Sequence, residues 1–257
     1  MLDLGLKGKV AVITGGSDGL GRAAAEKLAA EGVRVAICAR RKDFLEKAAD
    51  EIRKATGGEL LTHVADVSRA ADCEAFVKAV LAKWGQVDIL LNNAGTGAGN
   101  PFEKVDDALW QADFDLKVMA AVRMTRLVLP SMQKRRDGRI VNITNMAGKA
   151  PKARQLPTSV SRAAGINLTK SLANEYAADN IRVNTICIGI VRTTNWAHRA
   201  KGDVEEYFAQ LAKERVPLGR VAYATEYADL LAFLVSDRAS YITGAAINFD
   251  GGAGMTV

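Results

Sequence analysis

Apolar residues along this 257-residue chain change period repeatedly, from the near-continuous runs of a strand covered on both faces to the three-and-four spacing of a helix with one buried side. The strand-like runs are KVAVIT (9–14), VRVAIC (33–38), LLTHV (60–64), VDILLN (87–92), RIVNIT (139–144), IRVNTI (181–186) and AINFD (246–250). Helical spacing fills the intervals at about 20–31, 43–55, 69–84, 106–135, 158–178 and 225–235. Strands always separated by a helix cannot pair as hairpins, so right-handed crossovers lay them side by side. The predicted fold is α/β: a Rossmann-like doubly wound parallel sheet of about seven strands, helices on both faces, with the ligand crevice at the strands' C-terminal ends. With no internal repeat and no Pro/Ser-rich linker, residues 1–257 are expected to form a single domain. One segment, TTNWAHRAKGDVEEYFAQLAKERVPLGR (193–220), breaks the alternation and predicts a lid-like insertion over the crevice; a surface helical excursion without a gating role is the alternative.

Composition narrows the function class. Hydrophobic residues make up 49% and no stretch approaches the roughly 18 apolar residues of a membrane span, so no membrane partner is expected. The opening MLDLGLKGKVAVITGG enters a strand without the basic and apolar regions of a secretory signal, and a cytoplasmic location is the expectation. The net charge of +6 could suggest nucleic acid, but the basic residues are scattered. The densest run, Lys134-Arg135-Arg136, closes a helix, where cations complement the dipole; no nucleic acid is expected. Cys38, Cys73 and Cys187 lack metal-ligand spacing, and His63 and His198 do not complete a cluster, so neither a metal nor a disulfide is predicted.

After the first strand comes TGGSDGLG (14–21), opening a helix within a βαβ unit. Gly15 and Gly19 permit a tight turn and close approach of backbone to a pyrophosphate, the helix N-terminus favours its charge, and Gly21 lets helix and strand pack closely. Gly15, Ser17, Asp18, Gly19, Leu20 and Gly21 are therefore expected to hold a dinucleotide, with a ligand-free tight turn as the alternative. A carboxylate about 20 residues past the glycines would favour NAD; here Ala39 precedes Arg40 and Arg41. Guanidinium groups pair with a 2′-phosphate, so NADP(H) is the predicted cofactor, although Asp18 faces the same general region; a solvated helix entrance is the alternative for the two arginines.

With TGGSDGLG, Asp66-Val67 after the third strand, NNAG at 92–95, IGIVRT at 188–193 and YITGAAINFDGG at 241–252, the chain resembles the short-chain dehydrogenase/reductase family over essentially its whole length. The resemblance implies that Asp66 and Val67 contact adenine, that Asn93, Ala94 and Gly95 line the ribose, and that Gly189, Val191 and Thr193 lie along the nicotinamide end. Ile188 stands where the family usually has proline. The family often forms tetramers, which implies a homo-oligomer here, tetramer or dimer, acting on a small molecule.

The family's reaction centre is an asparagine in the central helix, a serine after the fifth strand, and Tyr-x-x-x-Lys opening the next helix. Aligned on LVLPSM, on the fifth strand and on the usual spacing, these positions hold Lys117, Asn145, Thr158 and Arg162. All four are substituted. Tyr176 shares the helix but lies roughly 21 Å from Arg162 at about 1.5 Å per residue, leaving Tyr207 and His198 of the insertion as other titratable candidates. Arg162 keeps a cation and donors for ribose hydroxyls, while Thr158 and the Asn145 amide can polarise a carbonyl without protonating it, unless Thr158 merely caps its helix. Lys117, if it projects into the crevice toward Arg162, has its pKa pushed down and becomes a proton donor; if it snorkels outward it does not. The expected function is an NADP(H)-dependent oxidoreductase of a carbonyl, alcohol or imine with a non-standard proton donor. The alternatives are an inactive NADP(H)-binding protein, a sensor or structural element, and a lyase or dehalogenase-like enzyme without the dinucleotide.

Overall fold

The computed structural model describes residues 3–256. In chain order the strands are β1 (Val10–Thr14), β2 (Arg34–Ala39), β3 (Leu60–Val64), β4 (Ile89–Asn92), β5 (Gly99–Asn100), β6 (Gly138–Asn145), β7 (Leu156–Pro157), β8 (Ile181–Ile188), β9 (Val191–Arg192), β10 (Ala222–Tyr223) and β11 (Ala246–Phe249). The helices are α1 (Gly19–Ala30), α2 (Lys42–Thr56), α3 (Ala70–Trp84), α4 (Asp107–Phe114), α5 (Ala120–Arg135), α6 (Thr158–Tyr176), α7 (Thr194–Ala197), α8 (Val204–Arg215) and α9 (Ala224–Val235). Seven strands form one parallel sheet, as the apolar runs predict, in the order β11-β8-β6-β4-β1-β2-β3. The order reverses direction between β1 and β4, and a doubly wound sheet opens its crevice at that switch point.

Strand alternation divides the core. Ala11 and Ile13 of β1, with Val35 and Ile37 of β2, face α1 and α9; Val10 and Val12, with Ala36 and Cys38, face α3 and α5. Both layers are sealed, which is why these strands read as continuous apolar runs instead of alternating ones.

Two departures from the expected elements matter for the site. The helix expected over 106–135 is not continuous: α4 and α5 are joined by a wide π-helical turn, Asp115–Met119, closed by the Ala120 amide on the Asp115 carbonyl. Such a turn shifts the side chains following it around the axis, and Lys117 sits inside it. The insertion has its own small core, in which Phe208, Leu211, Ala212, Val216 and Val221 pack with Trp196 and Tyr207. It is fastened to the sheet side through β9–β10 pairing.

Candidate active site

The phosphate end of the crevice is made of backbone. Gly15 and Gly19 have φ of 69° and 53°, in the left-handed region, and a Cβ on Gly21 would come within 2.2 Å of the Gly15 carbonyl oxygen. Cys38 on β2 accepts hydrogen bonds from the amides of Gly15 and Gly16, fixing the turn above the strand ends. Asn93 braces it from the other side: its amide donates to the carbonyls of Thr14 (2.9 Å) and Gly15 (3.2 Å). Asp18 caps α1 through the Gly19 amide and also accepts from Thr194 Oγ1 of the insertion at 2.9 Å. It does not line the recess that holds the arginines, so the concern that it would repel a 2′-phosphate does not apply there.

That recess, about 180 Å³, is lined by Ser17, Arg40, Arg41, Asp66 and Val67 among others. Arg41 stacks on Phe44 with 3.7 Å between guanidinium carbon and ring centroid. Burial tends to raise the Asp66 carboxyl, but hydrogen bonds from Ser68 and the charge of Arg40 outweigh it and hold the group below the usual carboxylate range.

The main crevice, about 640 Å³, runs from Gly15, Ser17, Asp18, Gly19 and Leu20 past Asn93, Ala94 and Gly95 to Asn145, Thr158 and Arg162, with Gly189, Val191 and Thr193 along its other wall. Gly21 packs beneath it. Gly189 is tightly seated, since a Cβ there would approach Asp250 Cα to 2.8 Å. The sequence-predicted residues are thus brought together, with one displacement. Lys117 does not project into the crevice, and neither does it snorkel out: its side chain is 1% exposed and lies behind the crevice wall.

There it belongs to a buried chain of contacts. Lys117 Nζ pairs with the carboxylate of Asp113 one turn earlier, also 4% exposed, and donates to Thr158 Oγ1 at 2.8 Å. Asp113 in turn accepts from Ser161 Oγ at 2.5 Å. Burial drives the Lys117 pKa down and the neighbouring Arg162 charge adds to it; the hydrogen bond and charge of Asp113 oppose them without prevailing. Thr158 does not cap its own helix. Its hydroxyl donates to the Ala98 carbonyl (2.7 Å) and accepts from the Ala98 amide (3.0 Å), pinning the loop after β4.

Arg162 forms the crevice floor. Its Nη1 donates to the Ile143 carbonyl at 2.6 Å, its Nη2 lies against Gly95, and its buried Nε has no partner among the described residues. Burial pushes the guanidinium down to about 10, which leaves it a cation at neutrality. Asn145 accepts from the Ala147 amide through Oδ1, and its amide nitrogen has no partner among the described residues. His198 and Tyr207 stand off from the crevice; Tyr207 packs on Phe208 with ring centroids 5.8 Å apart. Sequence reasoning missed Asp113 and Ser161. The four-residue spacing of Asp113 and Lys117, one helical turn, was the available signal for the first; nothing local marks the second.

Seven parallel strands in this order, with a glycine-rich turn at the switch point, define a Rossmann-type α/β protein. The family model described as short chain dehydrogenase matches residues 9–203. The 3-oxoacyl-acyl-carrier-protein reductase of Escherichia coli K12 is 35% identical over 252 residues, spanning 98% of this chain and 100% of that one. L-sorbose reductase from Gluconobacter frateurii, solved with NADPH and L-sorbose, superposes with a TM-score of 0.95 at 37% identity over 100% of both chains. An NADPH-bound short chain oxidoreductase from Pseudomonas aeruginosa PAO1, described as containing an atypical catalytic center, gives 0.93 at 36% identity over 97% of this chain and 98% of that one. The chain belongs to the short-chain dehydrogenase/reductase family.

Proposed function

We propose that the protein is an NADP(H)-dependent oxidoreductase interconverting a small-molecule carbonyl, or imine, with its alcohol or amine, and that its proton comes from Lys117 through the hydroxyl of Thr158. The observation that carries this reading is the buried chain Asp113–Lys117–Thr158, which ends on the crevice wall. The residues fit the cofactor. The glycine cradle would be filled by a Cβ, two arginines line the recess where a 2′-phosphate would sit, and Arg162 holds a buried nitrogen without a partner at the floor. The NADPH-bound relatives support the same assignment.

NADPH bound there would supply a hydride to the carbonyl carbon; with one proton to the oxygen, the products would be NADP⁺ and the alcohol. This chain's work is to place that proton. A threonine hydroxyl is too weak an acid to give it alone. Turned from the Ala98 carbonyl toward the substrate oxygen, Thr158 gives its proton as it takes one from Lys117, leaving a neutral amine against Asp113. The lowered lysine pKa favours release. Arg162 and the Asn145 amide stabilise the developing negative charge and hold ribose hydroxyls. On this reading Lys117, Asn145, Thr158 and Arg162 replace the family's usual four, the segment 193–220 acts as a lid, and the molecule works as a homo-oligomer, tetramer or dimer.

A second reading, NADP(H) binding without turnover, is favoured by one feature: the Thr158 hydroxyl already has all its hydrogen bonds, to Ala98 and Lys117. NADPH consumption with ketones, aldehydes, quinones and imines decides between them. Thr158→Val is expected to lower the reduction rate about 10²- to 10⁴-fold with NADPH affinity retained. Reduction needs a protonated lysine, so the rate falls as pH rises through its pKa, with a limb below the ordinary 10.5. NADPH binding without consumption of any probe leaves the second reading, and no NADPH association by calorimetry ends both.

A further inference from the structure

The insertion carries arginines of two kinds. Arg192, just before it, is neutralised by a bidentate contact to Glu205, and Arg220 at its end pairs with both oxygens of Glu226. The side chains of Arg199 and Arg215 make no salt bridge or hydrogen bond among the described residues, and these are the two that line the crevice. Charged side chains that only solubilise a surface have no reason to sort in this way.

Arg199 is held in position. Its guanidinium stacks on Trp196, 4.6 Å from the ring centroid, and its Nη2 reaches the opposite wall, where a Cβ on Gly97 would meet it at 3.0 Å. The stacked plane keeps the nitrogen fork presented to the mouth of the crevice. Arg215, at the end of α8, lines the same crevice. Asp18 is the one carboxylate along the crevice among the described residues. It sits at the phosphate end, engaged by the Gly19 amide and by Thr194. Among the described residues the crevice therefore has two cations whose side chains make no salt bridge or hydrogen bond and, beyond Asp18, no acidic counterweight.

We infer that the substrate is a carbonyl compound with an anionic group, a carboxylate or a phosphate, which Arg199 and Arg215 clamp while its carbonyl lies at Thr158. Arginine forks match the paired oxygens of both groups, and each charge-assisted contact is stronger than a neutral hydrogen bond. This inference rests on the proposed site at Thr158, but its test reads binding, so a protein that holds NADP⁺ and transfers no hydride still answers it.

The protein is titrated calorimetrically with two matched pairs, in the presence and absence of saturating NADP⁺: 4-oxopentanoate against its methyl ester, and dihydroxyacetone phosphate against dihydroxyacetone. At least one charged probe is expected to bind about tenfold or more tightly than its neutral partner. The preference should shrink with added salt and vanish in Arg199→Gln/Arg215→Gln, whose NADP⁺ affinity stays that of the parent. The pair that shows it identifies carboxylate or phosphate as the recognised group. Equal binding of charged and neutral members overturns the inference. So does a preference that survives the double variant, or a double variant that loses NADP⁺, because the arginines would then serve the cofactor phosphates.

Discussion

The two ends of the crevice are built from different materials. At the phosphate end the shape belongs to the main chain: Gly15 and Gly19 in left-handed conformations, Gly21 against a carbonyl, and amides anchored on Cys38. At the reaction end it belongs to side chains that meet across long stretches of sequence, with Asp113 to Ser161 spanning 48 residues and Lys117 to Thr158 spanning 41. The first kind of site tolerates few residue types at fixed spacing, so it prints itself locally. The second kind can change its chemistry while the surrounding helices and strands keep their places, because a buried lysine needs only a partner and a cavity of its own size.

The largest effect should come from breaking the reaction end while leaving the other intact. Lys117→Ala removes the proposed proton source and strands Asp113 among buried groups. A fall of about 10²- to 10⁴-fold in carbonyl reduction is expected, with destabilisation of roughly 3–5 kcal/mol in denaturant melts. Lys117→Met combined with Asp113→Leu removes both charges together, and replacing a buried pair by apolar groups is often neutral. Its melt should return toward the parent with no return of turnover. Recovery of turnover in the double variant would mean that Lys117 only holds the structure. Loss of NADPH affinity in either variant would mean the two ends are not separable.

The converse change strikes the backbone end. Gly21→Ala places a methyl group 2.2 Å from the Gly15 carbonyl oxygen and 2.5 Å from the Asn93 amide. Both neighbours are fixed, the amide by its own hydrogen bonds to Thr14 and Gly15, so the turn must move. Overpacking of this kind costs typically about 1–3 kcal/mol, and because the displaced turn is the one expected to receive the pyrophosphate, NADPH affinity should fall about 10- to 100-fold. Fluorescence titration with NADPH measures it. The Lys117–Thr158 contact lies on other elements, and the pH limb of the residual activity should stay where it was.

Legibility follows the same division. The strand positions, both core faces and the cofactor crevice follow from apolar period and from glycine spacing, because each is imposed over a few residues. For Lys117 the sequence leaves two directions open, into the crevice or outward, and the side chain takes neither, lying buried behind the crevice wall. The wide turn at Asp115–Met119 reorients it, and no residue there forbids an ordinary helix. Thr158 was open to reading as a helix cap, since proline precedes it; the loop that takes its hydroxyl arrives from 60 residues away. Contacts of that kind have no local period to betray them.

The finest comparison falls within the cofactor end, between the backbone turn and the arginines proposed to meet a 2′-phosphate. Arg40 and Arg41 line the recess beside Ser17, but they are not equivalent: Arg41 is stacked on Phe44, whereas the Arg40 charge already acts on Asp66. A 2′-phosphate entering the recess would meet the Asp66 carboxylate as well, and Arg40, which lines the recess and whose charge acts on Asp66, would offset that repulsion. Arg40→Ala should therefore lose the attraction and expose the repulsion at once, weakening NADPH by about tenfold. NADH, with a neutral hydroxyl in the same place, should be unaffected or slightly favoured. The ratio of the two affinities, measured by titration of parent and variant, isolates this term from the pyrophosphate grip common to both. A ratio that does not move would assign the choice of cofactor to Arg41 alone, and Arg40 would then be a neighbour that merely tunes Asp66.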